Sequence, residues 1–283
     1  MATRSQTRAV RARRRNQASD LGARVWIAVP AAIYAIGIIV AGGWVFAAGI
    51  MLLGLVCLHE LFRLYEPARP VKLAGFIGLI GLTAAAYFGG ERHVLIATVS
   101  AFPLVFLLAL AMPERPDAPL TFAMALTLLG ALWVGLAVAH GVLLRDTTHG
   151  DGIVVDVLIG TFIGDTAAYL GGRAFGTRRL APRISPNKTV EGLLFGVLGA
   201  TLAVWCAGLY QDWLAGWEAL VLGAVVGVVA PIGDLFESTL KRDLAVKDTG
   251  KAFGAHGGVL DRLDAVFFTV VVGYYAATGL GYG

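Results

Sequence analysis

Long apolar runs, separated by short polar or glycine-rich stretches, recur along the chain from residue 25 onward. A hydrocarbon core of about 30 Å needs about 20 apolar residues of helix to cross it. A membrane β-barrel would instead show short segments of alternating polarity, and this chain has no such pattern. The runs predict about nine transmembrane helices, at roughly 25–43, 44–62, 73–90, 93–112, 119–140, 152–170, 190–210, 218–238 and 261–281. The expected fold class is all-α, a polytopic integral membrane protein. It divides into a basic tail (1–24), an N-terminal transmembrane scaffold (25–150) and a C-terminal transmembrane region (151–283) where any chemistry is expected.

Composition agrees. The 283 residues are 57% hydrophobic and 15% charged, with a mean hydropathy of +0.74, whereas soluble domains are about 45–50% apolar and about 25% charged. Orientation follows from the basic residues. With the Arg-rich start RAVRARRRNQ inside and nine spans after it, only Arg92 and Arg145 of the 23 Lys and Arg residues fall outside. That asymmetry obeys the positive-inside rule and predicts a multi-pass protein of the inner or plasma membrane, with its N-terminus in the cytoplasm. The basic tail suits anionic lipid headgroups, and the long apolar run behind it reads as a retained helix rather than a cleaved signal. Cys57 and Cys206 fall within spans without the spacing of a zinc or redox site, and both are read as packing residues.

Charge within a span is costly and marks function, so its distribution matters. The first half is nearly free of it. His59 and Glu60 are the exception, and Glu60 is read as pairing with Arg63 one turn on. The second half differs. Span 6 places Asp165 near its inner end, and the loop GGRAFGTRRLAPRISPNKTVEG is basic and, through its Gly and Pro, non-helical. Ser185, Asn187, Lys188 and Thr189 offer hydroxyl, amide and ammonium donors just before span 7, whose N-terminus itself attracts anions. In PIGDLFESTLKRD, the residues Asp234, Glu237, Ser238 and Lys241 share one face of span 8. Such a stripe must face protein or a wet cavity; a Glu237 or Asp234 ladder to Lys241 is the plainer alternative. The next loop, KRDLAVKDTGKAFGAHGG, mixes Lys and Asp with glycines that let a backbone approach a bulky anion. It leads through Gly257 and Gly258 to Asp261, Arg262 and Asp264 at the start of span 9.

Three inner helix ends thus carry acids, and two inner loops carry bases and glycines. Carboxylates without nitrogen or sulfur ligands suit Mg²⁺, which prefers carboxylates, waters and substrate phosphates. Lys, Arg, Ser and glycine backbone suit phosphate. The pattern points to a phosphorylated substrate handled at the cytoplasmic membrane face.

The run from Ser238 to Asp264, STLKRDLAVKDTGKAFGAHGGVLDRLD, resembles the signature of the phosphatidate cytidylyltransferase (CDP-diacylglycerol synthase) family: S-x-x-K-R, four residues, K-D, then H-G-G-x-x-D-R-x-D. The segments GDLFES, GDTAAYLGGRAFG and ISPNKTVEG are similar to further family segments, although many members carry lysine where this chain has Asn187. The motif-bearing resemblance covers about residues 160–264. It implies transfer of CMP from CTP to phosphatidate with Mg²⁺, one or two ions, and leaves room for an added monovalent cation. It further implies membrane lipids as surroundings, a homodimer, and no nucleic-acid partner. On this resemblance Asp234, Ser238, Lys241 and Asp261 are the expected catalytic residues. Asp234, Asp261, Asp165, Asp264 and Asp248 are the expected metal ligands. Ser185, Asn187, Lys188, Thr189, Arg242, Lys247, His256, Gly257, Gly258 and Arg262 are expected to bind substrate. A related CTP-dependent lipid or polyprenol kinase is the nearest alternative, and an ion or lipid transporter the alternative from another class.

Overall fold

The computed structural model describes residues 29–112, 119–244, 246, 249–250 and 257–283. Helix α1 (Val29–Ala41) belongs to a first unit, and residues 42–283 form a second compact unit. The second unit holds α2 (Gly43–Leu64), α3 (Lys72–Leu110), α4 (Leu120–Arg145), α5 (Gly150–Phe175), α6 (Val190–Gly208), α7 (Gly216–Asp243) and α8 (Leu260–Gly279). Among the described residues, α2 to α7 are long and apolar enough to cross a membrane. The all-α membrane class therefore stands.

Helix α3 shows how two predicted spans became one continuous element. Its 39 residues would extend about 58 Å if straight, nearly twice a hydrocarbon core. Gly90 breaks it, with φ 69° and ψ −164°, a conformation that a side chain would resist. The two halves correspond to the predicted 73–90 and 93–112, joined by a single glycine rather than a loop. Many large apolar side chains, among them Phe88, Leu95, Phe102 and Leu107 on α3, remain exposed, as surfaces that meet lipid require.

Two packing systems position the site. Cys57, Leu58, Leu61, Phe62 and Tyr65 at the end of α2 share a core with Val134 of α4, Leu240 of α7, and Leu260 and Phe267 of α8. The other system is a seam of small residues between α5 and α6. A Cβ on Gly164 would lie 3.0 Å from the Ala200 Cβ, and one on Gly196 would lie 2.9 Å from the Ala168 Cβ. Gly164, Ala168 and Gly172 recur every fourth residue against Ala200, Gly196 and Gly192, so the two helices run antiparallel at close range. Cys57 is buried as expected, but Cys206 is exposed on α6. The small-residue face of α6 packs on α5, which leaves Cys206 on an outward face.

The non-helical loop after α5 is a short hairpin. Strand β1 (Arg179–Ala181) pairs antiparallel with β2 (Ser185–Thr189). Two local devices close it. Thr189 caps α6 by accepting the Gly192 amide at 3.1 Å. Glu191, in the first turn of α6, accepts the Thr177 hydroxyl at 2.7 Å and the amides of Thr177 and Arg178.

Candidate active site

The site grows from the last turns of α7. Asp234, Glu237, Ser238 and Lys241 do share one face, and three of them engage in ion pairs. Lys188, on β2, reaches across to Asp234 with Nζ 2.6 Å from Oδ2, both side chains about one-quarter exposed (26% and 23%). Lys241 contacts Glu237 Oε2 at 2.5 Å and Asp261 Oδ1 at 3.0 Å. The ladder alternative is thus present, yet it extends beyond one helix. Lys241 is the joint between α7 and α8.

Asp261 sits in the first turn of α8 and is surrounded by donors. Besides Lys241 it accepts the Gly258 amide at 2.7 Å and the Thr249 amide at 3.0 Å. Gly257 has φ 86°, and a Cβ there would stand 2.7 Å from Asp261 Oδ2. These glycines are needed because the backbone folds directly over the carboxylate. Asp264 is buried, accepts its neighbour's amide from Ala265 at 2.9 Å, and lies near Glu237 and Asp234. Glu237 is 1% exposed, and among the described residues its Oε1 has no hydrogen-bond partner. The close approach of the two helices is set at Gly233, where a Cβ would lie 2.6 Å from the Asp264 carbonyl oxygen.

A cavity of about 470 Å³ opens beside this charge, within the usual range of about 300–1,000 Å³ for ligand pockets. Asp165, Arg173, Ser185, Asn187, Lys188 and Asp234 line its polar side. Gly164, Ala168, Gly192, Gly196, Gly227 and Ala230 make a smooth apolar wall. It is a charged mouth on a greasy slot.

The expected residues therefore fall into distinct places. Asp165 and Asp234 face the cavity together with Lys188, and Asp261 and Asp264 cluster around Glu237. Ser238 is half-buried on the α7 face. Arg242 donates from Nε to the Ile184 carbonyl at 3.0 Å, tying the end of α7 to the hairpin turn. The Thr189 hydroxyl lines the cavity but is engaged as the α6 cap. Arg262 is exposed on α8. Lys247, Asp248 and His256 lie outside the described residues.

Glu60 departs from its expected role. Its carboxylate does not form a local pair with Arg63. It turns inward, 7% exposed, and accepts the Leu260 amide of α8 at 2.9 Å, while Arg63 is exposed. The partner lies 200 residues away in sequence, so no local pattern could reveal it. The one available signal was an acid inside a span, in a half whose spans are otherwise nearly free of charge.

The donor set can be tested against a divalent cation. Among the described residues, no three His, Cys, Asp or Glu side chains group closely enough to hold an ion by themselves. In particular, Asp165, Asp234, Asp261 and Asp264 are not gathered around one point. Mg²⁺, however, commonly uses one or two carboxylates and completes its shell with waters and substrate phosphates. Among the described residues, five carboxyl groups (Asp165, Asp234, Glu237, Asp261, Asp264) here face two ammonium groups (Lys188, Lys241), and the buried Glu237 Oε1 has no hydrogen-bond partner. All donors are hard oxygens. The residues fit such an ion.

Fold and site together define a polytopic helical membrane protein with a pocket at converging helix ends, lined by Asp165 and Asp234 beside Lys188 and Arg173. The cytidylyltransferase family model matches residues 22–279, and the chain belongs to that family. It is 30% identical to a phosphatidate cytidylyltransferase of Synechocystis sp., over 89% of this chain and 94% of that protein. It is 32% identical to one of Helicobacter pylori, over 80% and 78% respectively, and 29% identical to one of Bacillus subtilis, over 90% and 97%.

Proposed function

We propose that this protein transfers CMP from CTP to phosphatidate, giving CDP-diacylglycerol and pyrophosphate, at the cytoplasmic face of the inner or plasma membrane. One observation carries the reading: the Lys188–Asp234 pair lines a cavity with an apolar wall, and the same face of α7 carries Lys241, which pairs with Asp261 of α8. A phosphoanionic lipid presents the matching chemistry, a charged head on an apolar body.

The reaction needs little proton transfer. A phosphate monoester, with a second pKa near 6, is already mostly ionised at pH 7. One of its oxygens attacks the α-phosphorus of CTP, forming the new P–O bond as the bond to the pyrophosphate oxygen breaks. Repulsion between the two polyanions is the main obstacle, so positioning and charge neutralisation supply the catalysis. Lys188, with Ser185 and Asn187 beside it on β2, binds phosphate oxygens at the cavity mouth. Lys241 holds Asp261 in place and neutralises charge between α7 and α8, and Ser238 donates from the same face. Arg173 adds positive charge at the cavity, and Arg262 adds it at the exposed start of α8. Asp234 with Asp165, and Asp261 with Asp264, are the residues that would hold Mg²⁺, which when bound neutralises phosphate charge and polarises the leaving pyrophosphate. Gly164, Ala168 and Gly196 leave the slot smooth for an acyl chain. The strong inside bias of basic residues supports the cytoplasmic placement, and a homodimer within the bilayer completes the proposal.

The position of a radiolabel tests it. Purified protein incubated with phosphatidate, Mg²⁺ and CTP labelled at the α-phosphorus should yield labelled lipid. Label entering lipid only from the γ-phosphorus would establish a kinase instead. Substrate-driven flux in proteoliposomes without CTP turnover would establish a transporter.

A further inference from the structure

Transfer as described uses α5, β2, α7 and α8, and leaves one buried carboxylate of α2 without a task. Glu60 Oε2 accepts the Leu260 amide at 2.9 Å. The same carboxylate fills the space between two glycines: a Cβ on Gly258 would lie 2.4 Å from Oε2, and one on Gly250 would lie 2.5 Å from Oε1. The first N–H groups of a helix lack intrahelical acceptors, and the local cap position of α8, Val259, has no side chain that could serve. The acceptor is imported from α2.

A second contact from the same helix end reaches the other half of the site. The Tyr65 hydroxyl donates to the Leu240 carbonyl at 3.2 Å. Leu240 immediately precedes Lys241, and Leu260 immediately precedes Asp261. These are the two residues whose side chains meet at 3.0 Å. Cys57, Leu58 and Leu61 pack with Leu240 and Leu260 in one core, so the grip is backed by apolar contact as well as by hydrogen bonds.

We propose that Glu60, assisted by Tyr65, is a positioning residue: it fixes the spacing of Lys241 and Asp261 by holding the backbone one residue before each. Glu60 acts as a hydrogen-bond acceptor, through the Leu260 amide, and does not touch substrate. The inference deepens the transferase reading and rests on it for its kinetic arm. A displacement of about 1 Å in such a pair can cost about 100-fold in rate, which makes the contact measurable.

The test compares Glu60→Gln, Glu60→Leu and Tyr65→Phe in the full-length protein. Glutamine still offers an oxygen to the Leu260 amide and should keep kcat within about threefold of wild type. Leucine offers none; kcat should fall at least about tenfold, with CTP KM changed far less, and the Mg²⁺ concentration for half-maximal rate should rise. A parallel arm needs no turnover. Spin labels at Asp243→Cys and Arg262→Cys, in a chain with Cys206 replaced by serine, report the separation of the α7 and α8 ends by dipolar EPR. The distance distribution should be narrow in wild type and in Glu60→Gln, and broader or shifted in Glu60→Leu. If Glu60→Leu does not fold, Tyr65→Phe decides, because it removes one hydroxyl and keeps the ring; it should lower kcat severalfold and broaden the same distribution. Unchanged kinetics and distances in Glu60→Leu, or in Tyr65→Phe where that variant decides, would overturn the proposal. So would a Glu60→Gln variant as impaired as Glu60→Leu, since that would assign the role to charge. A wild type without transferase activity would overturn the reading above, while the EPR arm would still decide the positioning role.

Discussion

Lys188 Nζ lies 2.6 Å from Asp234 Oδ2, across 46 residues of sequence, and joins the β-hairpin to the charged face of α7. Both side chains keep about one-quarter of their surface exposed, on a cavity that each also lines. On the proposed function, an arriving phosphate would compete for the lysine, and an arriving cation for the carboxylate. The pair is then a preformed contact that substrate should open. Asp234→Asn should lower kcat by at least about 100-fold, and Lys188→Ala by about 10- to 100-fold, as for loss of one preorganised electrostatic contact. Because the two act as a unit, the double variant should lose little more than Asp234→Asn alone. Initial rates of lipid-linked cytidine formation check this; additive losses would assign them separate roles.

Metal removal has a readout in stability as well as rate. Chelation should abolish turnover, and added Mg²⁺ should restore it. The surplus of carboxylate over ammonium groups means that Mg²⁺ should also raise the melting temperature of the substrate-free protein. A ligand at 100 times its Kd stabilises by about 2.7 kcal/mol. Asp261→Asn should reduce that shift, and an equal shift in the variant would remove Asp261 from the ligand set.

The α5–α6 seam sets the cavity's apolar wall, so crowding it should cost both stability and activity. In Gly196→Ala the new methyl would lie 2.9 Å from the Ala168 Cβ and 3.2 Å from the Gly164 carbonyl oxygen. Overpacking of this kind typically costs about 1–3 kcal/mol. Gly81→Ala on α3 is the control, since nothing lies within 4 Å of its Cβ position, and alanine is favoured over glycine in a helix by about 1 kcal/mol. Thermal melts in detergent should separate the two, with the first lowered and the second unchanged or raised.

The C-terminal end of the chain supplies a pH dependence. The Tyr282 hydroxyl donates to Glu218 Oε2 at 2.6 Å and to the Trp213 carbonyl at 2.8 Å. Burial first, then Glu218 as hydrogen-bond partner and charge, pushes it from its ordinary 10.0 up to about 12. A folded value above the unfolded one stabilises the protein fully below about pH 10 and loses that contribution as pH rises through about 12. Wild type should therefore melt above Tyr282→Phe at pH 8, and the gap should close across that window. A gap that persisted above pH 12 would trace the difference to packing instead.

Much of this molecule could be read along the chain. Hydrophobic run length determined the membrane class, because the thickness of a bilayer imposes it on each helix separately. The spacing of Asp234, Glu237, Ser238 and Lys241 determined a shared face, because helix geometry needs no other part of the chain. The glycines before Asp261 likewise announced a backbone that must pass close to something bulky.

Tertiary structure alone decided which charges meet. Lys241 could have paired only within α7, as its spacing to Glu237 allows, but the packing of Gly233 against α8 brings Asp261 to it as well. Lys188 finds Asp234 through a hairpin whose strands the sequence did not announce. Glu60, in a region otherwise without chemistry, was readable only as a local partner of Arg63, yet it caps a helix that begins 200 residues later. Local periodicity fixes the direction in which a side chain leaves its own helix. What stands at the other end depends on how separate helices pack, and that is set by small residues and long-range burial rather than by any neighbour in sequence.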